Sequence, residues 1–241
     1  MEAFANSDIG KVRDMNQDSY YISDKDDKIK LYIVADGMGG YKGGEIASKL
    51  AIESSKNYII NNFDQIKKER DQIIELIKNA IEYANMVVYE KSKEVPELAG
   101  MGTTIDVCLI YSNRIYIGHI GDSRVYRLRK DFFRKLTVDD SYVEQLVKEG
   151  NITKEEAYNH PKKNMLTKAL GCTAFVEPTV LVKGFMKGDI LLMCTDGLTN
   201  MLKDDKICEI IKQNSEQASK DLVKKANEQG GYDNITAVII L

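Results

Sequence analysis

Asp36, Asp122, Asp196 and Asp233 each stand at one end of a strand-like apolar run, and the first and third are followed by glycine. Asp36 opens Asp36-Gly37-Met38-Gly39-Gly40 after Leu31–Ala35. Asp122 lies in Gly121-Asp122-Ser123-Arg124, Asp196 in Cys194-Thr195-Asp196-Gly197, and Asp233 just before Ile235–Leu241. Neighbouring strands bring their ends together, so these carboxylates can converge. Converging carboxylates repel one another unless a cation lies between them. Hard oxygen donors suit Mg²⁺ or Mn²⁺ rather than zinc, and the pattern suggests a two-metal hydrolytic centre. The carbonyl of Gly37 could add a further oxygen. Asp-Gly alone is better read as a turn, but its repetition at Asp196-Gly197 favours a site.

Arg13-Asp14-Met15-Asn16-Gln17-Asp18 is a second candidate. Arg13 is a planar cation suited to bidentate phosphate binding. Asp18, two residues beyond Asn16 at a strand start, can share its face. The plainer reading is a polar turn with a surface arginine. Of the two histidines, His119 lies in a strand leading to Asp122 and reads as a packed, hydrogen-bonded residue; His160 reads as a loop-ordering residue. Cys108, Cys172, Cys194 and Cys208 are far apart. They are expected to be free thiols of a cytosolic protein, and no cysteine-based phosphate loop is expected.

These residues need elements to hold them. Asp18–Ile22 and Ile29–Ala35 read as strands, Glu45–Asn61 and Ile66–Ser92 as helices. Ile66, Ile73, Ile77, Ile81, Ala84 and Val88 give the second helix one apolar face. A strand meander follows: Thr103–Tyr111, Arg114–Ile120, Val125–Leu128 and Phe132–Leu136, with a hairpin turn at Ser112-Asn113. Asp140–Glu149 and Thr153–Asn159 read as short helices, Val176–Val182 and Asp189–Cys194 as strands, Lys206–Gln213 and Glu216–Gln229 as helices, and Ile235–Leu241 as a last strand. Strands grouped apart from long helices indicate an α+β layered fold.

Composition sets the class. The chain has 241 residues, 43% hydrophobic and 29% charged, with three prolines and a net charge of −3. No basic tract favours nucleic acid. No apolar run approaches the roughly 20 residues that span a bilayer, and the first residues lack the pattern of a signal peptide.

Seven motifs occur in order across nearly the whole chain: Arg13-x-x-Asn16-x-Asp18, Asp36-Gly37-Met38-Gly39-Gly40, Gly102-Thr103-Thr104, Gly121-Asp122-Ser123-Arg124, His160-Pro161-x-x-Asn164-x-Leu166-Thr167, Thr195-Asp196-Gly197 and Asp233-Asn234-Ile235-Thr236. The set resembles the short bacterial form of the metal-dependent (type 2C, PPM) serine/threonine protein phosphatases. The resemblance implies a four-layer α-β-β-α sandwich, two central antiparallel sheets flanked by helices. It implies a single domain over 1–241 with a flap at about 139–171. Asp36 would bridge two Mn²⁺ or Mg²⁺ ions, with the Gly37 carbonyl on one and Asp196 and Asp233 on the other. Asp18 would stand close to the metals, Asp122 would share a weaker third ion with Asp196, and Arg13 would bind phosphate. Arg13, Asp36 and Asp122 are thus the expected catalytic residues.

The implied reaction is hydrolysis of phosphoserine and phosphothreonine in proteins by a metal-bridged hydroxide, reversing a bacterial Ser/Thr kinase. The implied partners are phosphorylated proteins and a cognate kinase, with no nucleic acid and no membrane. A cytoplasmic monomer is expected. Three departures stand out: Met38 where some relatives have a histidine acid, Gln17 for a metal-binding glutamate, and Lys168 for an arginine. The alternative is a catalytically weak phosphoprotein-binding module of the same fold. Retention of Asp36, Asp196 and Asp233 speaks against it.

Overall fold

The computed structural model describes residues 1–40 and 42–241. In chain order its strands are β1 (Ala3–Asp8), β2 (Asp18–Ile22), β3 (Lys30–Met38), β4 (Gly102–Thr103), β5 (Ile105–Tyr111), β6 (Arg114–Ile120), β7 (Arg124–Arg129), β8 (Phe132–Lys135), β9 (Thr179–Gly184), β10 (Ile190–Cys194) and β11 (Ile235–Ile240). One antiparallel sheet has the order β1-β11-β10-β7-β8. The other runs β2-β3-β5-β6-β9, with β4 paired to the end of β3. The helices are α1 (Gly43–Phe63), α2 (Arg70–Glu94), α3 (Tyr142–Lys148), α4 (Lys154–Tyr158), α5 (Asp196–Thr199), α6 (Asp204–Gln213) and α7 (Ala218–Glu228).

Alternation along the strands builds the layers. Tyr32 and Val34 point between the sheets, where they meet Val125, Leu191, Met193 and Val238. Leu31, Ile33 and Ala35 point the other way, onto the apolar faces of α1 and α2. In the opposite sheet Ile235, Ala237 and Ile239 face α6 and α7. Both faces of each sheet are covered, so strands such as Ile-Thr-Ala-Val-Ile-Ile read as continuous apolar runs. The result is an α+β sandwich of four layers, helices outside and two antiparallel sheets within.

Several expectations shift. The first strand, β1, was not foreseen; it pairs with β11 from Ala3↔Ile240 to Asp8↔Ile235. The second helix starts at Arg70, not Ile66, because Lys68 takes a left-handed φ of 60° just before it. The expected strand Thr103–Tyr111 is broken at Thr104 into β4 and β5. Ser112 and Asn113 do form the hairpin turn, with φ of 48° and 59°, the positive values that a tight two-residue connection requires. Thr153 caps α4 in a full capping box, its hydroxyl accepting from Glu156 N while Glu156 accepts from Thr153 N.

Candidate metal centre

The ends of both sheets meet at one pocket of about 340 Å³. Asp36, Gly37, Asp122, Asp196 and Asp233 all line it, together with Arg13. Asp36 lies near the end of β3, opposite Asp18 on β2. Its backbone is pinned from the other side: Asp36 N donates to Thr104 Oγ1 at 2.9 Å, and Thr104 N and Thr103 Oγ1 donate to Asp36 O at 2.9 and 2.8 Å. Thr104 therefore leaves the strand ladder to hold the aspartate, which is why β4 and β5 are separate.

Gly37 is glycine for a steric reason. A Cβ there would collide with the Gly44 carbonyl and lie 2.6 Å from Gln17 O. These are backbone atoms that cannot swing aside, so the start of α1 packs directly on the pocket floor.

Asp196 begins α5, immediately after β10, and its Oδ2 accepts from Asn200 Nδ2 at 2.9 Å. Asp233 sits on the loop before β11; its Oδ1 accepts from Asn234 N at 2.9 Å, and its Oδ2 pairs with Arg13 at 2.7 Å. Asp122 follows Gly121, which is bracketed by Asp140: Asp140 N donates to Gly121 O at 2.7 Å, and Gly121 N donates to Asp140 Oδ2 at 3.3 Å. Asp18 lies behind the pocket rather than in its lining. Its Oδ2 accepts from the hydroxyls of Thr195 at 2.9 Å and Thr236 at 2.7 Å, while its Oδ1 is buried without a partner.

Electrostatically this is a strained group. Burial, then Asp18, Asp196 and Asp122, push the Asp36 carboxyl well above its ordinary value. Burial and Asp196 do the same to Asp122, and burial and Asp233 raise Asp196. Asp18 is pushed up to about 7, chiefly by burial. Each carboxylate thus makes the next harder to ionise, the situation that divalent cations relieve. The donors are all oxygen, as Mg²⁺ and Mn²⁺ prefer. Among the described residues no three His, Cys, Asp or Glu side chains close into a finished ligand cage. The fit rests on the shared pocket, the mutual fields and the partnerless oxygen of Asp18.

The sequence-predicted residues Arg13, Asp36, Gly37, Asp122, Asp196 and Asp233 are brought together; Asp18 stands one layer back. Arg13 is half exposed at the mouth, its guanidinium on Asp233. Residues that orient the site were passed over: Thr104, Thr195, Thr236 and Asn234, whose Oδ1 accepts from Gln17 N at 2.8 Å and whose Nδ2 donates to Ile9 O and Met15 O. Each adjoins or lies within a quoted motif, so the signal was present in the sequence.

His119 is buried between Asp106, 2.7 Å from Nδ1, and the Val138 carbonyl, 3.0 Å from Nε2. It is a packed residue, as expected. His160 Nδ1 accepts from Lys162 N at 3.1 Å and so orders its own loop. Cysteine offers no alternative chemistry. Cys108 and Arg114 do stand at the C-x5-R spacing of cysteine phosphatases. Yet Cys108 is buried in the core, burial pushes its thiol far up, and the intervening residues make the β5–β6 hairpin rather than a phosphate loop.

Comparison with known proteins agrees with this geometry. Residues 11–230 match the family model described as Protein phosphatase 2C. The serine/threonine phosphatase stp of Listeria innocua is 36% identical over 242 residues, covering 100% of this chain and 95% of that protein. The serine/threonine protein phosphatase PstP of Mycobacterium tuberculosis is 37% identical over 98% of this chain, but over only 44% of its own length. Among solved structures, the Streptococcus agalactiae serine/threonine phosphatase superposes with a TM-score of 0.89 at 36% identity, covering 100% of this chain and 99% of that one. The catalytic domain of PstP in complex with two manganese ions gives 0.86 at 34% identity, covering 99% and 96%.

Proposed function

As the chain belongs to the protein phosphatase 2C family, we propose that its aspartate pocket binds two Mn²⁺ or Mg²⁺ ions and hydrolyses phosphoserine and phosphothreonine in proteins. The convergence of Asp36, Asp122, Asp196, Asp233 and Gly37 on one pocket carries this reading. Asp36, the Gly37 carbonyl, Asp196 and Asp233 would hold the two ions. Asp18 acts from behind, its orientation fixed by Thr195 and Thr236. Two divalent ions supply charge neutralisation of the phosphoryl group and an acidified water at neutral pH.

The chain's own residues do the rest. Arg13, at the mouth, exchanges its contact with Asp233 for the incoming phosphate, to which its fork of N–H donors is matched. Thr103 and Thr104 keep Asp36 from retreating along β3. Asp122, held through the Gly121–Asp140 bonds, would with Asp196 hold a weaker third ion. Met38 lines the pocket and offers no proton where some relatives place histidine.

Phosphorylated proteins are the substrates. A cognate Ser/Thr kinase as the opposing enzyme, a monomeric state, a cytoplasmic location and a single domain over 1–241 with a flap at about 139–171 belong to the same reading. Among the described residues no helix is long and apolar enough to cross a membrane. Calorimetry of Asp36→Asn with Mn²⁺ tests the ligand assignment. Loss of both tight sites and of activity is expected; wild-type affinity with near-normal turnover would refute it.

A further inference from the structure

Three parts of the chain meet at His119. The residue lies on β6, shortly before Asp122, and its ring is buried beside the equally buried Asp106 of β5. Nδ1 stands 2.7 Å from Asp106 Oδ1, and Nε2 stands 3.0 Å from Val138 O. A carbonyl oxygen only accepts, so Nε2 carries a hydrogen. One further proton lies between Nδ1 and Oδ1. Burial works against an imidazolium, but Asp106, then Asp140 and Asp139, outweigh it and strengthen the hold of His119 on its proton. Burial raises the Asp106 carboxyl as well, and its Oδ2 has no partner. Both groups therefore favour keeping the shared proton. Without it the ring would take the Nδ1–H tautomer beside the carboxylate, and Val138 would lose its donor.

Val138 belongs to a strap, residues 136–141, that leads from β8 to α3 and lies along the turn carrying Asp122. Leu136 N donates to Val125 O at 2.8 Å, and Val125 N donates to Thr137 Oγ1 at 3.1 Å. Arg124 Nη2 donates to Asp139 Oδ2 at 2.7 Å. Asp140 then closes on Gly121 twice, its N donating to Gly121 O and its Oδ2 accepting from Gly121 N. Gly121 holds a φ of 106°, and a Cβ there would lie 2.5 Å from Thr104 Cγ2, so this turn has little room to settle elsewhere. Asp140 O also accepts from Thr167 N at 2.8 Å. The His119 bond fixes the middle of the strap to β6 and so brings Asp140 into register with Gly121.

We propose that His119, held in its tautomer by Asp106, is a positioning residue for Asp122: it anchors the strap that clasps the turn on which Asp122 stands. This rests on the phosphatase reading above, in which Asp122 serves turnover, and adds a residue to it. His119 stands outside the lining of the aspartate pocket, so it acts through Asp122 and not on the reacting atoms.

Two substitutions separate anchoring from packing. His119→Gln places an amide nitrogen near the Nε2 position, keeping a donor for Val138 O and leaving Asp106 without its partner. His119→Asn places its amide near Nδ1, keeping the Asp106 contact and leaving Val138 O bare. If His119 only filled the core, the glutamine variant would be the worse of the two, because a bare buried carboxylate costs more than a bare carbonyl. Positioning predicts the reverse order. In chelator-treated protein, amide exchange at Gly121 and Asp140, read by NMR, should quicken on the order of tenfold in His119→Asn and stay near wild type in His119→Gln. With Mn²⁺, His119→Asn should keep both tight ions by calorimetry and the KM for a phosphothreonine peptide, yet lose turnover on the order of tenfold. His119→Gln should keep most of its turnover. Adding His119→Asn to Asp122→Ala should cost no further turnover, since both changes remove the same contribution. A glutamine variant as impaired as the asparagine variant or worse, additive losses with Asp122→Ala, or loss of the tight ions in His119→Asn overturns the positioning role. Absence of phosphopeptide hydrolysis by wild type, with the exchange order as predicted, would instead overturn the phosphatase reading and leave the anchoring of the Asp122 turn standing.

Discussion

Replacing Asp18 by asparagine should stabilise the chelator-treated protein at neutral and alkaline pH. Asp18 is buried, and its carboxyl is pushed from 3.8 to about 7, first by burial and then, against the pull of the Thr195 and Thr236 hydroxyls, by Asp196 and Asp233. Between those values the folded chain holds a proton that the unfolded chain has released. Stability therefore falls as pH rises from about 4 to about 7 and stays low above that window. At about 1.4 kcal/mol per decade the full loss is at most about 4–5 kcal/mol, an upper bound because the proton is shared across the aspartate group. Asparagine keeps an acceptor for both threonines and places an amide where Oδ1 has no partner. Urea denaturation of both proteins in EDTA at pH 4 and pH 8 measures the effect. The variant should gain up to that amount at pH 8 and little at pH 4, while binding Mn²⁺ more weakly. A variant less stable than wild type at pH 8 in EDTA would refute the reasoning.

Arg13→Ala should raise KM for phosphopeptides by roughly 10- to 150-fold, the equivalent of one charge-assisted contact of about 1.5–3 kcal/mol. Arg13→Lys should recover only part of it, and an unchanged KM in steady-state assays would place Arg13 away from the phosphate. Asp122→Ala should retain two tightly bound Mn²⁺ ions by calorimetry yet lose turnover, with phosphopeptides affected at least as much as p-nitrophenyl phosphate, because an alkoxide leaving group needs proton donation more than nitrophenolate does. Loss of both tight ions would put Asp122 in the core pair instead.

The aspartates were legible because each sits at a strand end beside glycine or in a short polar motif, and strand ends converge in any layered sheet. The helices and most strands followed from apolar spacing. What lay beyond the sequence depended on partners distant along the chain. Strand β1 carries Asn6, Ser7 and Asp8, too polar to announce itself, and it exists because β11 offers an edge to pair with. Thr104 interrupts an apolar strand because it serves Asp36, 68 positions earlier. Asp18 stands opposite Asp36, and its carboxylate is held by Thr195 and Thr236, partners 177 and 218 positions away that no local pattern reveals. The C-x5-R spacing at Cys108 shows the converse: a local pattern without chemistry, because the strand buries its thiol.

Hydrolysis of a phosphothreonine peptide by the purified protein, with Mn²⁺, after exhaustive chelation, and after Mn²⁺ is returned, tests the central claim most directly. Phosphate release should require Mn²⁺ or Mg²⁺, cease on chelation and return with the metal, since the aspartates cannot hold a phosphate without cations between them. Undiminished release from the stripped protein in excess EDTA would contradict the account.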